Sequence, residues 1–200
     1  MDMQQAGIVG KIIVLNGALS AGKTSTAKAL LDLLGPSCVH TGLDHLLERV
    51  QPFGSQPRTP LGQLRRTLQI MWFQVTDRRL QLFKQLHREV VALAYTGRDV
   101  IVDTALVDKR VLRDAAICFA PLNGFFVGMK PPLAVSEHWE AARGDRARGH
   151  ARKHYDLLHA HNTYDLILDP SILTPQQCAF AIVQRLKSDQ PPTAFRYLQL

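Results

Sequence analysis

The chain has little to offer a membrane or a disulfide scaffold. No apolar run approaches the roughly 20 residues that span a bilayer. The first residues, Met1 to Gln5, carry no basic stretch, and the apolar segment from Ile12 to Leu15 is too short for a secretory leader. Cysteine is scarce: Cys38, Cys118 and Cys178 are odd in number and widely spaced, and no CxxC suggests zinc. They read as reduced, partly buried thiols of a cytoplasmic protein. Acidic residues are outnumbered, 17 against 24 Lys and Arg, leaving a net charge of +7. That balance favours anionic ligands, such as nucleotide phosphates, nucleic acid or membrane surfaces, without choosing among them. What is present is ordinary globular usage, with 46% apolar and 20% charged residues over 200 positions. A largely disordered chain is excluded, and one α/β domain is the expected size class.

The β-branched runs at 11–16 and 99–103 read as buried parallel strands, and 38–41, 125–129 and 166–169 as three further short strands. Between them fall helical patterns. Residues 23–34 place Ala27, Leu30, Leu31 and Leu34 on one face, and Gly35 with Pro36 stops that helix. A helix starts at 43–50, and the loop 51–62 holds three prolines and two glycines. Apolar residues then recur at helical spacing over 64–95, as one long helix or two in series. A last amphipathic helix covers 174–186, and the tail 188–200 is expected over the surface. Strands alternating with helices predict a five-stranded parallel sheet with helices on both faces.

Gly17, Ala18, Leu19, Ser20, Ala21, Gly22, Lys23 and Thr24 satisfy G-x-x-x-x-G-K-[ST] at every fixed position. Chance would place this pattern in a chain of this length roughly once in a hundred cases. A predicted strand precedes it and a helix follows. The glycines let backbone N–H groups turn inward around anionic oxygens, and the helix aims its positive end at the same place. These residues, with Ser25, are the candidate nucleotide site. Lys23 would reach the β- and γ-phosphates, and Thr24 would offer its hydroxyl to Mg²⁺. Asp103, ending the run Val100 to Val102, sits where a P-loop protein places its Mg²⁺-holding acid, although a helix cap would look the same.

Asp44 follows the second strand by a few residues, at the carboxyl edge that borders ligand crevices in open parallel sheets. There a carboxylate can take the proton of an attacking hydroxyl, or simply cap the helix that follows. Residues 143–153 carry five positive side chains and one acid, Asp145, between Gly144 and Gly149. Arginines closing over a transferring phosphoryl group stabilise its spread charge; a solvated basic face is the alternative.

The segments VLNGALSAGKTS, TGLDHLLE, VIVDTAL and EAARGDRARGHARKHYDLLHAHNTYDLILD, in this order, resemble the chloramphenicol phosphotransferase family. The resemblance covers most of the chain, and ARGDR is its most specific part beyond the loop. It implies a P-loop fold of the nucleoside-monophosphate and shikimate kinase type, with an Arg-rich lid. It also implies ATP-dependent phosphorylation of a small-molecule hydroxyl, with antibiotics among the candidate acceptors. Asp44 then matches the proposed general base, Arg143 and Arg146 the active-site arginines, and Lys23 and Thr24 the nucleotide and metal residues. The chain departs from the family in its proline-bearing loop and basic helix, and in having Asp103 and Thr104 where the family has two adjacent acids. A single domain over 1–200 is expected, with its lid at 143–153 and acceptor selection at 44–83.

Other features weigh less. Seven basic residues and one acid lie from Arg58 to Arg88; a nucleic-acid face with Trp72 and Phe73 stacking is less favoured than core packing of those rings. His154, His159 and His161 lack a zinc spacing. His159 matches a histidine of the family segment, and Tyr164 and Asp165 read as structural. The rival readings are a nucleoside, nucleotide or polynucleotide-end kinase and a nucleotide switch without transfer activity. No N-K-x-D motif supports an ordinary GTPase.

Overall fold

The computed structural model describes residues 8–50, 77–143 and 149–199. Five strands form one parallel sheet: β1 (Ile12–Gly17), β2 (Val39–Gly42), β3 (Val100–Thr104), β4 (Phe125–Met129) and β5 (Leu166–Leu168). Their spatial order is β2-β3-β1-β4-β5, so β1 lies at the centre. Every described position of β1 is buried on both faces, which is why it reads as an unbroken apolar run rather than an alternation.

The pleat divides the core in two. Ile12 and Val14 of β1, Val100 and Val102 of β3 and Phe126 of β4 face one layer. Ile13, Leu15, Ile101, Phe125 and Val127 face the other. On that second face α1 (Lys23–Leu34) packs against α7 (Pro175–Leu186). The first face carries α2 (Leu43–Val50), α3 (Asp77–Tyr95), α4 (Lys109–Phe119) and the short α8 (Ala194–Tyr197). Helices therefore cover both faces, as the strand–helix alternation predicts. The remaining pair, α5 (Leu133–Arg143) and α6 (His150–His159), pack on each other.

Local chemistry sets the helix ends. Asp108 caps α4 by accepting from the Arg110 N–H at 2.7 Å. Thr174 and Gln177 form a reciprocal capping box, with Pro175 opening α7. Gly35 ends α1, its N–H donating to the Leu31 carbonyl at 2.9 Å.

The tail differs from expectation. The double proline signals an exposed connection, yet Ala194 and Phe195 beyond it are buried. Phe195 stacks on Phe126 with ring centroids 4.5 Å apart and meets Phe119 edge-on at 5.6 Å. Asp165 holds this segment in place, accepting from the N–H groups of Thr193 and Ala194 at 2.7 and 3.0 Å and from that of Phe126 at 2.9 Å. The expected loop 51–62, residues 64–76 with Trp72 and Phe73, and Asp145 lie outside the described residues.

Candidate functional site

β1 ends at Gly17 and α1 begins at Lys23, so the glycine-bearing loop joins the centre of the sheet to a helix N-terminus. Two residues in it take left-handed backbone, Ser20 with φ 65° and Gly22 with φ 77°. Left-handed residues in such a loop let backbone N–H groups turn toward an anion placed at the helix N-terminus. Gly17 is needed for a different reason: a Cβ there would come within 2.7 Å of the Met129 carbonyl oxygen on β4.

Lys23 and Thr24 both turn toward Asp103. The Lys23 ammonium donates to the Ala18 carbonyl at 2.8 Å and lies 3.9 Å from one Asp103 oxygen. The Thr24 hydroxyl donates to the other at 2.6 Å. These residues are 79 positions apart and are joined because β3 lies beside β1. A Thr hydroxyl, a carboxylate and a half-ring of backbone N–H groups fit a nucleotide phosphate with its divalent cation.

β2 brings a second acid to the same edge. Gly42 is the register partner of Asp103, and Asp44 stands two residues further along, exposed in the first turn of α2. Its carboxylate acts on Arg79 of α3: burial pulls that guanidinium below its ordinary value, and the Asp44 charge opposes the shift. Arg79 read only as part of a basic run in the sequence. His40, also on β2, points its Nε2 toward Asp103 at 4.0 Å. Burial lowers the His40 pKa, Asp103 works against that, and His45 and Lys28 add to it.

Asn16, the residue before Gly17, is fully buried. Its Oδ1 accepts from the Leu106 N–H at 2.8 Å, and its Nδ2 donates to the Tyr164 hydroxyl at 2.9 Å. That hydroxyl lies 2.7 Å from His159 Nδ1. Burial pushes His159 down to about 4, with the Lys130, His161 and Lys23 charges pushing the same way. Its ring is therefore neutral at pH 7. Among the described residues no group of His, Cys, Asp and Glu gathers as a metal site of its own.

The arginine segment is carried between α5 and α6, and the two helices are clasped. Arg152 donates to both Glu137 oxygens at 2.7 and 3.1 Å. The Gly149 N–H donates to buried Glu140 at 2.8 Å, and the Tyr155 hydroxyl to the Pro131 carbonyl at 2.8 Å. Gly149 has φ 95°, a left-handed conformation that glycine adopts freely at the start of α6. Arg143 is the last residue of α5, but its side chain and all of Arg146 lie outside the described residues. A cavity of about 450 Å³ beside the loop is lined by Gly22, Ser25, Thr26, Trp139, Pro170 and Leu173. Trp139 comes from α5, so that helix supplies one wall of it.

The three cysteines are free, and burial raises the Cys38 thiol to about 11. No described helix is long and apolar enough to cross a membrane.

Comparison with known proteins agrees with this arrangement. A protein of Mycobacterium tuberculosis named "Putative O-phosphotransferase" is 27% identical over 202 residues, covering 95% of this chain and 88% of its own. The Mycobacterium tuberculosis APS kinase, solved with AMPPNP and APS, superposes with a TM-score of 0.61 at 18% identity, covering 91% of this chain and 100% of its own. Shikimate kinase from Acinetobacter baumannii, solved with shikimate, gives 0.59 at 16% identity over 92% and 96% of the two chains. These likenesses establish a P-loop kinase fold. The match to the family described as "Chloramphenicol phosphotransferase-like protein" runs over residues 10–187, and the chain belongs to that family of phosphotransferases.

Proposed function

We propose that the protein is an ATP- and Mg²⁺-dependent O-phosphotransferase that moves a γ-phosphoryl group to the hydroxyl of a small molecule. The carrying observation is the juxtaposition at one sheet edge of Lys23, Thr24 and Asp103 with Asp44, two residues past the register partner of Asp103. The whole chain, 1–200, acts as one kinase domain, with its lid at 143–153 and acceptor selection at 44–83.

In this reading the backbone of Gly17, Ala18, Leu19, Ser20, Ala21 and Gly22, with Ser25, binds the phosphates. Lys23 leaves the Ala18 carbonyl to neutralise the bridging and terminal oxygens. Thr24 and Asp103 hold the cation, which when bound screens the phosphate charge and fixes its geometry. The cavity beside Trp139 and Pro170 is the size and polarity a nucleobase needs. Asp44 accepts the proton from the acceptor hydroxyl as its oxygen attacks, and this base separates a transferase from a mere nucleotide binder. Arg143 and Arg146 neutralise the equatorial oxygens as the lid closes, and closure excludes water that would otherwise take the phosphoryl group. The free cysteines suit a reducing, cytoplasmic setting.

The test begins with γ-labelled ATP and a panel of hydroxyl-bearing compounds, including antibiotics, nucleosides and short oligonucleotides. On the acceptor it identifies, Asp44→Asn is expected to lower transfer by a factor of at least ~100 while nucleotide affinity changes less than about threefold. Transfer that survives Asp44→Asn intact would remove the base from the scheme, whereas nucleotide binding with no transfer to any compound of the panel would favour the switch reading.

A further inference from the structure

His40 has no part in the scheme above, yet the fold places it with care. Its side chain is only 10% exposed. Its Nε2 is sealed from solvent and has no hydrogen-bond partner among the described residues. The ring is wedged edge-on against His45 with centroids 4.9 Å apart. Nε2 lies 4.0 Å from Asp103 Oδ2, the same oxygen that accepts from Thr24 at 2.6 Å. Leaving a buried nitrogen unpartnered is destabilising, so packing alone does not account for an imidazole at this position.

The distances suit a shared ion. Two donors on one octahedral cation with bonds of about 2.1 Å stand roughly 3 Å apart when adjacent and roughly 4.2 Å when opposite. The Nε2 to Oδ2 separation of 4.0 Å is close to that of opposite donors, and the Thr24 hydroxyl, 2.6 Å from Oδ2 as a hydrogen-bond donor, would turn from the carboxylate to the ion. The donor type also matters. Mg²⁺ prefers oxygen and keeps its waters, whereas a nitrogen donor raises affinity for Mn²⁺ and, more so, Co²⁺.

We infer that His40 Nε2 is a third protein donor to the nucleotide-bound divalent cation, beside Thr24 Oγ1 and Asp103 Oδ2, and biases this centre toward transition metals over Mg²⁺. The inference deepens the phosphotransferase reading and rests on its assignment of Thr24 and Asp103 to the cation. His40 is not a base in this scheme; it selects which ion presents the phosphate.

The experiment uses the full chain with Mn²⁺ and ATP and no acceptor. Free Mn²⁺ is followed by continuous-wave electron paramagnetic resonance, and the bound ion by spin-echo modulation. Directly bound imidazole gives a nitrogen modulation that converts from the ¹⁴N to the ¹⁵N pattern when the protein carries ¹⁵N-histidine. Nitrogens of ATP stay unlabelled and cannot mimic this change. His40→Gln should abolish the histidine signal and weaken Mn²⁺ in the ternary complex on the order of tenfold. Mg²⁺, measured by competition, should shift less than about threefold. If the Mn²⁺–ATP complex forms without any histidine-derived modulation, or keeps it in His40→Gln, the inference is overturned while the phosphotransferase reading stands. If Mn²⁺ and ATP do not bind together at all, both fall. If His40→Gln folds poorly, absence of the modulation in the labelled unsubstituted protein still overturns the inference, and His40→Asn serves as the second variant that assigns a signal when one is seen.

Discussion

Replacing Asn16 with leucine isolates the anchor behind the phosphate loop. The two side chains are close in volume, so the change is mainly chemical. Leucine deprives the Leu106 N–H of its 2.8 Å acceptor and the Tyr164 hydroxyl of its 2.9 Å donor. Orphaning a buried backbone N–H costs about 1–3 kcal/mol. The tyrosine loses less, about 0.5–1.5 kcal/mol, because His159 Nδ1 still lies 2.7 Å from its oxygen. Added apolar burial returns about 1–2 kcal/mol at a site with no exposed surface. The net expectation is a loss of about 1.5 kcal/mol, or roughly 3–6 °C in Tm for a chain of this length. Urea unfolding followed by circular dichroism reads this as a lower midpoint with an unchanged slope. A loss below about 0.5 kcal/mol would show that Asn16 is not holding the Leu106 and Tyr164 segments together. The reasoning from its hydrogen bonds would then be refuted.

Two further outcomes follow from the buried groups. The folded His159 pKa, about 4, lies below the ordinary 6.5, so the unfolded chain takes up the proton first as pH falls. This residue therefore leaves stability untouched above pH 6.5 and erodes it between 6.5 and about 4, by up to about 3 kcal/mol. Denaturant midpoints across that window should fall less steeply in His159→Gln, and parallel curves would refute the assignment. Phe195→Ala, at a ring only 1% exposed, should cost about 3–5 kcal/mol. A thermal midpoint within 2 °C of the unsubstituted protein, roughly the shift for 1 kcal/mol or less, would show that the tail does not dock against Phe126.

The sheet and its phosphate loop were legible because their signals are local. A β-branched run followed by glycines, lysine and threonine declares itself within a dozen residues. Asp103 and Asp44 were readable for a related reason: each lies at or just beyond the end of a recognisable strand, and parallel topology gathers such ends at one edge. His40 was not readable, because one histidine in a four-residue strand looks like any half-buried polar residue. Its meaning arises only when β2 pairs with β3 and brings it near Asp103. Asn16 was hidden similarly, since its partners Leu106 and Tyr164 are 90 and 148 positions away. The tail misled because Pro191 and Pro192 mark an irregular chain path truthfully, while nothing local says that the next aromatic ring turns inward. The clasp between α5 and α6 depends on the facing of Glu137, Glu140 and Arg152, which a charge run conceals.

The docking of Phe195 has a bearing on how the protein is made. A ribosome has delivered all five strands once Leu168 is out, and α7 once Leu186 follows. Until Phe195 emerges, the rings of Phe119 and Phe126 lack their last covering neighbour. Until residue 195 is out, the nascent chain thus carries an aromatic patch still wet, a period in which chaperones have something to grip. Completion of this side of the molecule waits for Phe195 rather than for the appearance of its nucleotide loop.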